Sequence, residues 1–157
     1  MTDRVIIKVS SSLELATAET IMAAARAAAR IRKLEPLAIA IIDAGGQLVM
    51  FQREDGAGTA RFAIALGKAH AALGMGSSGR ALRDRLKNNP AFQNAISAAT
   101  DGRFVAVPGG VLILDGSGRA IGAVGISGDA SDADEAVAIA GIAAAGLVSH
   151  PAKDAND

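Results

Sequence analysis

Apolar residues recur along the chain with two different periods, and the switches between them predict the elements. From Leu15 to Lys33 there is no Gly or Pro, and Ile21, Ala25, Ala28 and Ile31 share one face at helical spacing. A long helix is expected there, punctuated by Pro36. Leu37–Asp43 and Gln47–Arg53 read as two strands joined by the hairpin Ala44-Gly45-Gly46. A second helix is expected over Ala60–Leu73, a polar helical piece over Arg80–Asn88 and a short helix over Ala91–Ala99. Three further apolar runs, Phe104–Val107, Val111–Asp115 and Ala120–Ile126, are split by Gly-rich turns and lead into a last helix from Asp132 to about Leu147. Val5–Val9 is expected as a strand or an ordered arm, and the polar tail 148–157 as disordered.

Strands joined by tight turns must be antiparallel, because parallel neighbours need a crossover connection. The five runs therefore predict a five-stranded antiparallel sheet carrying helices, an α+β layout. With 157 residues the chain is expected to form a single domain, 1–157, with its core in about 13–147.

Composition narrows the function. Half of the residues are hydrophobic but only 3% are aromatic, so the core must be built from Ala, Ile, Leu and Val, with helices in close approach. Sixteen basic residues balance sixteen acidic ones, which removes the electrostatic case for nucleic acid, and zero net charge leans towards a homo-oligomer. Without cysteine there are no disulfides, thiolate metal sites or cysteine nucleophiles. No apolar run approaches membrane-spanning length and no leader is evident, so a cytoplasmic protein is the expectation.

Two motif-like stretches do not survive their context. Gly116-Ser117-Gly118 and Gly122 link two strands instead of opening a helix, so the phosphate site of a dinucleotide fold is missing. Gly125-Ile126-Ser127-Gly128-Asp129 ends in Asp where a nucleophile elbow needs Gly. Ser131 to Asp134 fits a capping box, which accounts for most of the acidic cluster; a metal site from Asp129, Asp132 and Glu135 is the sharper and weaker alternative.

His70 carries more. On its helix, Phe62, Leu66, Ala69 and Leu73 are expected to face the core, whereas Ala63, Gly67, His70 and Gly74 form a small-residue stripe broken by the imidazole. Gly inside a helix costs about 1 kcal/mol relative to Ala, so something is expected to pack closely at Gly67: a helix, a second subunit or a flat ligand. A partly buried histidine hydrogen-bonded at a helix–helix contact is the plainer account of the stripe and stands slightly ahead of the ligand. Lys68, Arg61 and Arg53 could hold a carboxylate or propionate, or form a solvated face, and Arg80, Arg83, Arg85 and Lys87 read as a solvated basic helix.

Leu37–Gly46 with Leu48-Val49, Arg53–Ala57, Lys68-Ala69, Val107–Gly110, Gly122–Gly128 and Asp134–Ala136 together resemble the GlcG/HbpS-like family, also called the haem-degrading domain, which includes the C-terminal domain of PduO-type proteins. The resemblance runs in order through about 13–147. It implies a profilin-like α-β-α fold, dimers or larger oligomers, and a small-molecule ligand, with haem foremost. The family-like positions are Asp43, Gly45, Gly46, Asp55, Gly56, Lys68, Pro108, Gly109, Gly110, Ser127, Gly128, Asp134 and Glu135. His70 departs from the pattern, standing where a Thr or another small polar residue is expected.

Three functions remain open. In the first the chain binds haem or a related planar or anionic ligand, with His70 as the iron ligand and Lys68, Arg61 and Arg53 on the propionates. In the second it is a cofactor-independent enzyme on a small hydroxy or keto acid: His70 moves a proton, Lys68 or Arg53 holds the carboxylate, and backbone N–H groups at Gly109, Gly110 and Gly128, beside Ser127, meet a developing oxyanion. The third is an accessory subunit making protein contacts alone. Absence of Tyr excludes phenolate ligation of haem, and few aromatics make a poor stacking cage.

Overall fold

The computed structural model describes residues 2–153 and folds them into three layers, helix on sheet on helix. In chain order the elements are α1 (Leu15–Ile31), β1 (Ala38–Asp43), β2 (Leu48–Arg53), α2 (Arg61–Met75), α3 (Gly79–Leu86), α4 (Pro90–Ala99), β3 (Gly110–Leu114), β4 (Ala120–Ser127), α5 (Ser131–Ala144) and β5 (Val148–His150). The five strands form one antiparallel sheet in the order β2-β1-β4-β3-β5. Among the described residues, no helix is long and apolar enough to cross a membrane.

Side-chain size decides which helix lies on which face. Ile39, Ile41, Val111, Ile113, Val124 and Ile126 point to one side and pack with Ile21, Met22 and Ala25 of α1 and Val137 and Ile142 of α5. The other face carries Ala38, Ala40, Ala123, Gly110 and Gly125, and α2 settles on it through Ala65, Ala69 and Ala72. A Cβ on Gly125 would run into the carbonyl oxygen of Ala65, and one on Gly110 into that of Lys68. The alanine-rich composition thus serves close helix–sheet and helix–helix approach.

Both hairpins are closed by an aspartate. Asp43 Oδ1 accepts the N–H groups of Gly45 at 2.9 Å and Gln47 at 3.0 Å. Asp115 Oδ1 accepts those of Ser117 at 2.8 Å and Arg119 at 3.1 Å in the same manner. Such Asx turns trade a side-chain oxygen for the missing ladder acceptor.

Several expectations need correction. Phe104–Val107 is not a strand: it runs beside α2, where the Val105 N–H donates to the Gly67 carbonyl at 3.1 Å. The fifth strand is β5, inside the segment expected to be disordered, where it pairs with Leu112–Leu114; residues 154–157 of that tail lie outside the described ones. Ser131 is the first residue of α5 and makes no cap; the N-cap is Ala130. Asp134 does reach back as a capping carboxylate, but to the N–H of Asp129 at 3.1 Å. Phe62, expected in the core, is 38% exposed and meets the Phe51 ring edge-on at 4.6 Å. Val5–Val9 forms no strand and stands out from the fold as an exposed arm.

Candidate functional site

Helix α2 carries His70 to one rim of the sheet, above the β1–β2 turn. There Gly45, Gly46 and Gln47 of the turn, His70 and Gly74 of α2, Ala99 and Thr100 at the end of α4, and Arg103 line a cleft of about 410 Å³. The turn lies against the imidazole: Gly46 adopts φ +79, which favours glycine, and a Cβ there would be in ordinary contact with the ring, 3.6 Å from His70 Cε1. On the opposite wall, Asp101 and Gly102 both take positive φ, which turns the chain off α4 and sets Arg103 beside His70.

The imidazole is half-buried, and among the described residues no hydrogen bond claims either ring nitrogen. Burial is the larger reason its pKa lies below the ordinary 6.5; the positive charge of Arg103 is the smaller one. His70 is therefore neutral at pH 7, with a lone pair available to a proton or a metal. Arg103 is exposed, held at its Nε by the Thr100 carbonyl at 3.4 Å, and adds the cleft's cationic group.

The other expected site residues are not gathered around His70. Lys68 leaves the opposite flank of α2 and is 3% exposed; its Nζ donates to the Ile126 carbonyl at 2.8 Å and to Asp134 Oδ2 at 3.1 Å. Arg61 Nη1 donates to Ser127 Oγ at 3.1 Å, on the Lys68 side. Arg53 lies at the end of β2 and lines a separate cleft of about 520 Å³ with Arg26, Arg30 and Glu54. None of Lys68, Arg61, Arg53, Gly109, Gly110, Ser127 and Gly128 lines the His70 cleft. The glycines serve close packing: a Cβ on Gly109 would stand 2.9 Å from Lys68 Nζ, and one on Gly128 would meet the Pro36 carbonyl.

The close neighbour expected at Gly67 is the chain itself. A Cβ at that position would stand 2.6 Å from Val105 Cγ2, so Val105 occupies the place a ligand or a subunit could have taken. The acidic cluster also has structural work. Asp129 accepts the N–H groups of Glu35 at 2.8 Å and Ala130 at 2.7 Å, while Arg80 bridges Asp132 and Glu135. Among the described residues, no group of three or more His, Asp or Glu could hold a metal ion.

Arg103 and Thr100 escaped the reading of the sequence. Their one signal is the turn Thr100-Asp101-Gly102-Arg103, whose Asp-Gly pair returns the chain towards α2.

Comparison with known proteins agrees with this architecture. A solved PduOC–haem complex is 26% identical, with a TM-score of 0.76 over 86% of this chain and 96% of its own. A crystal structure of HbpS is 25% identical, with a TM-score of 0.72 over 91% of this chain and 97% of its own. The Klebsiella pneumoniae protein ORFY, at 21% identity, shares the fold with a TM-score of 0.76 over 92% of this chain and 98% of its own. No curated protein matches the chain significantly. The model of the family described as haem degrading protein HbpS-like matches residues 13–143, and to that family the chain belongs.

Proposed function

We propose that the chain is an oligomeric haem-binding protein whose ligand seats in the His70 cleft. The observation that carries this reading is a neutral imidazole with both ring nitrogens unclaimed among the described residues, facing a cleft that also holds a guanidinium. The donor set suits the group. A neutral imidazole is a common haem ligand, and Arg103 gives a propionate a charge-assisted partner. The walls at Gly45, Gly46 and Gly74 carry no side chain, so a flat ring can approach the backbone. The volume of about 410 Å³ falls within the range of small-molecule sites. None of the four Phe lines the cleft, so binding would rely on ligation, charge and backbone contact in place of stacking.

When bound, haem would supply ligand-binding or redox chemistry that no side chain of this protein offers. The chain's own contribution is to keep His70 unprotonated, to orient a carboxylate at Arg103, and to shield one face with the Asp43-tied turn. The likeness to the PduOC–haem complex supports the same ligand.

One observation favours a second reading. A histidine of lowered pKa beside an arginine also suits proton transfer on a small hydroxy or keto acid whose carboxylate Arg103 holds, in the role first given to Lys68 or Arg53. Titration of wild type, His70→Ala and Arg103→Ala with haemin, followed by absorbance, separates the two. A saturable Soret band at stoichiometric haemin, shifted or lost in His70→Ala and weakened in Arg103→Ala, is the expected result. No saturable band in wild type would overturn the haem reading and leave the small acid, to be tested by turnover.

A further inference from the structure

The arm that precedes α1 is built like a strand and has no sheet. In Arg4-Val5-Ile6-Ile7-Lys8-Val9, four of six residues are β-branched and apolar. Val5, Ile6, Ile7 and Val9 are 82%, 71%, 85% and 90% exposed. A run of this kind left in water is a ready template for strand pairing. Its root is fixed: Ser12 Oγ donates to the Ile121 carbonyl at 3.1 Å and accepts the Ala44 N–H at 2.9 Å, and Leu13 is buried in the core. The arm therefore leaves the fold beside the β1–β2 turn, yet it does not lie along its own sheet.

One edge of that sheet is open to receive it. Among the described residues β2 is hydrogen-bonded to β1 alone, so its outer backbone groups have no strand partner there. Along it runs an apolar rim, with Leu48 46% exposed, Val49, Met50 and Phe51 half-buried, and Phe62 alongside at 38% exposed. Six residues of arm match the six residues of β2 in length. Matched end to end, an antiparallel arm sets Val9 beside Leu48 and Arg4 beside Arg53, with the exposed Asp55 that follows β2 within diagonal reach of both arginines.

We propose that Arg4–Val9 of one protomer adds as a sixth strand, antiparallel, to the β2 edge of a second copy, each arm crossing to the other in a twofold dimer. The inference rests on the homo-oligomer reading above and names the segment that holds the subunits together. Reciprocal exchange uses the same patch on both copies, closes the assembly and hides both the apolar arm and the open edge.

The test uses the full chain, and its freedom from cysteine makes cross-linking clean. The molar mass of wild type and of a variant lacking 2–9 is measured by light scattering on a sizing column. An oligomeric wild type and a truncated variant of smaller mass is the expected result. A truncated variant that keeps the wild-type mass overturns the arm while the oligomer stands; a monomeric wild type overturns both. Val9→Cys chains are then mixed with Leu48→Cys chains and oxidised. A covalent species holding one chain of each kind is expected. Its absence overturns the exchange, as does a Val9→Cys/Leu48→Cys double variant that closes on itself as a cross-linked monomer.

Discussion

Lys68 Nζ lies 3.1 Å from Asp134 Oδ2, and both side chains are almost wholly buried, at 3% and 1% exposed. The pair ties α2 to α5 past the end of β4, with Ile126 and Asp129 supplying the remaining backbone partners. Burial pushes the Lys68 pKa down and that of Asp134 up, and in each the partner's charge opposes the shift. Each charge is tolerable inside the protein because the other is present.

Removing one partner strands the other. Lys68→Met is expected to lower unfolding stability by about 3–5 kcal/mol, and Asp134→Leu by a similar amount. The double variant, which buries two apolar groups instead, should recover most of that loss. Urea unfolding of the three variants reads the coupling directly. Haemin affinity of the folded double variant should match wild type, because neither residue lines the His70 cleft.

Gly67 and Val105 make a second testable couple. Ala at 67 improves helix propensity by about 1 kcal/mol, but its Cβ would press on a stiff β-branched side chain, a clash that costs typically about 1–3 kcal/mol. Gly67→Ala is thus expected to destabilise the wild type. In a Val105→Ala background the clash is gone and the same change should be neutral or stabilising. Denaturant midpoints for the four proteins check the reversal of sign.

The legible parts of the fold were those set by local pattern. The helices, the two Asp-tied hairpins and the alternation of β1 and β4 each announce themselves within a few residues. The rest depended on partners far along the chain. Val148-Ser149-His150 is too short and polar to read as a strand until Leu112–Leu114 is beside it. Phe104–Val107 has the apolar run of a strand, but the Val105 N–H finds a helix carbonyl in place of a neighbouring strand. In the site, His70 stood out by its chemistry alone. The helical angle between Lys68 and His70, two residues apart, sends them to opposite flanks, and the partner at Asp134 lies 66 residues away.

Asp43 links the fold to the cleft, since its Oδ1 holds the Gly45 and Gln47 N–H groups that form one wall. Asp43→Ala should cost about 1–3 kcal/mol of stability through the two lost bonds and weaken haemin binding by loosening the turn. Asp43→Asn keeps an acceptor oxygen and should fall between Ala and wild type in both respects. Thermal unfolding and Soret titration on the same three proteins test whether the two losses move together.

The pH dependence of His70 has a definite sign. Its folded pKa lies below the 6.5 of the unfolded chain, so between those two values the unfolded state holds more protons. Stability therefore rises with pH across that window, the cost of charging the buried ring being present in full below the folded pKa and absent above about 6.5. His70→Gln should flatten this part of the profile, read as the wild-type minus variant difference in urea midpoint. Haemin binding should follow the same proton: unchanged from mildly alkaline pH down to about 6.5, then weaker as the ring is charged. Equal haemin affinity in wild type and His70→Gln at every pH would remove the imidazole as ligand and leave the cleft to anions held by Arg103.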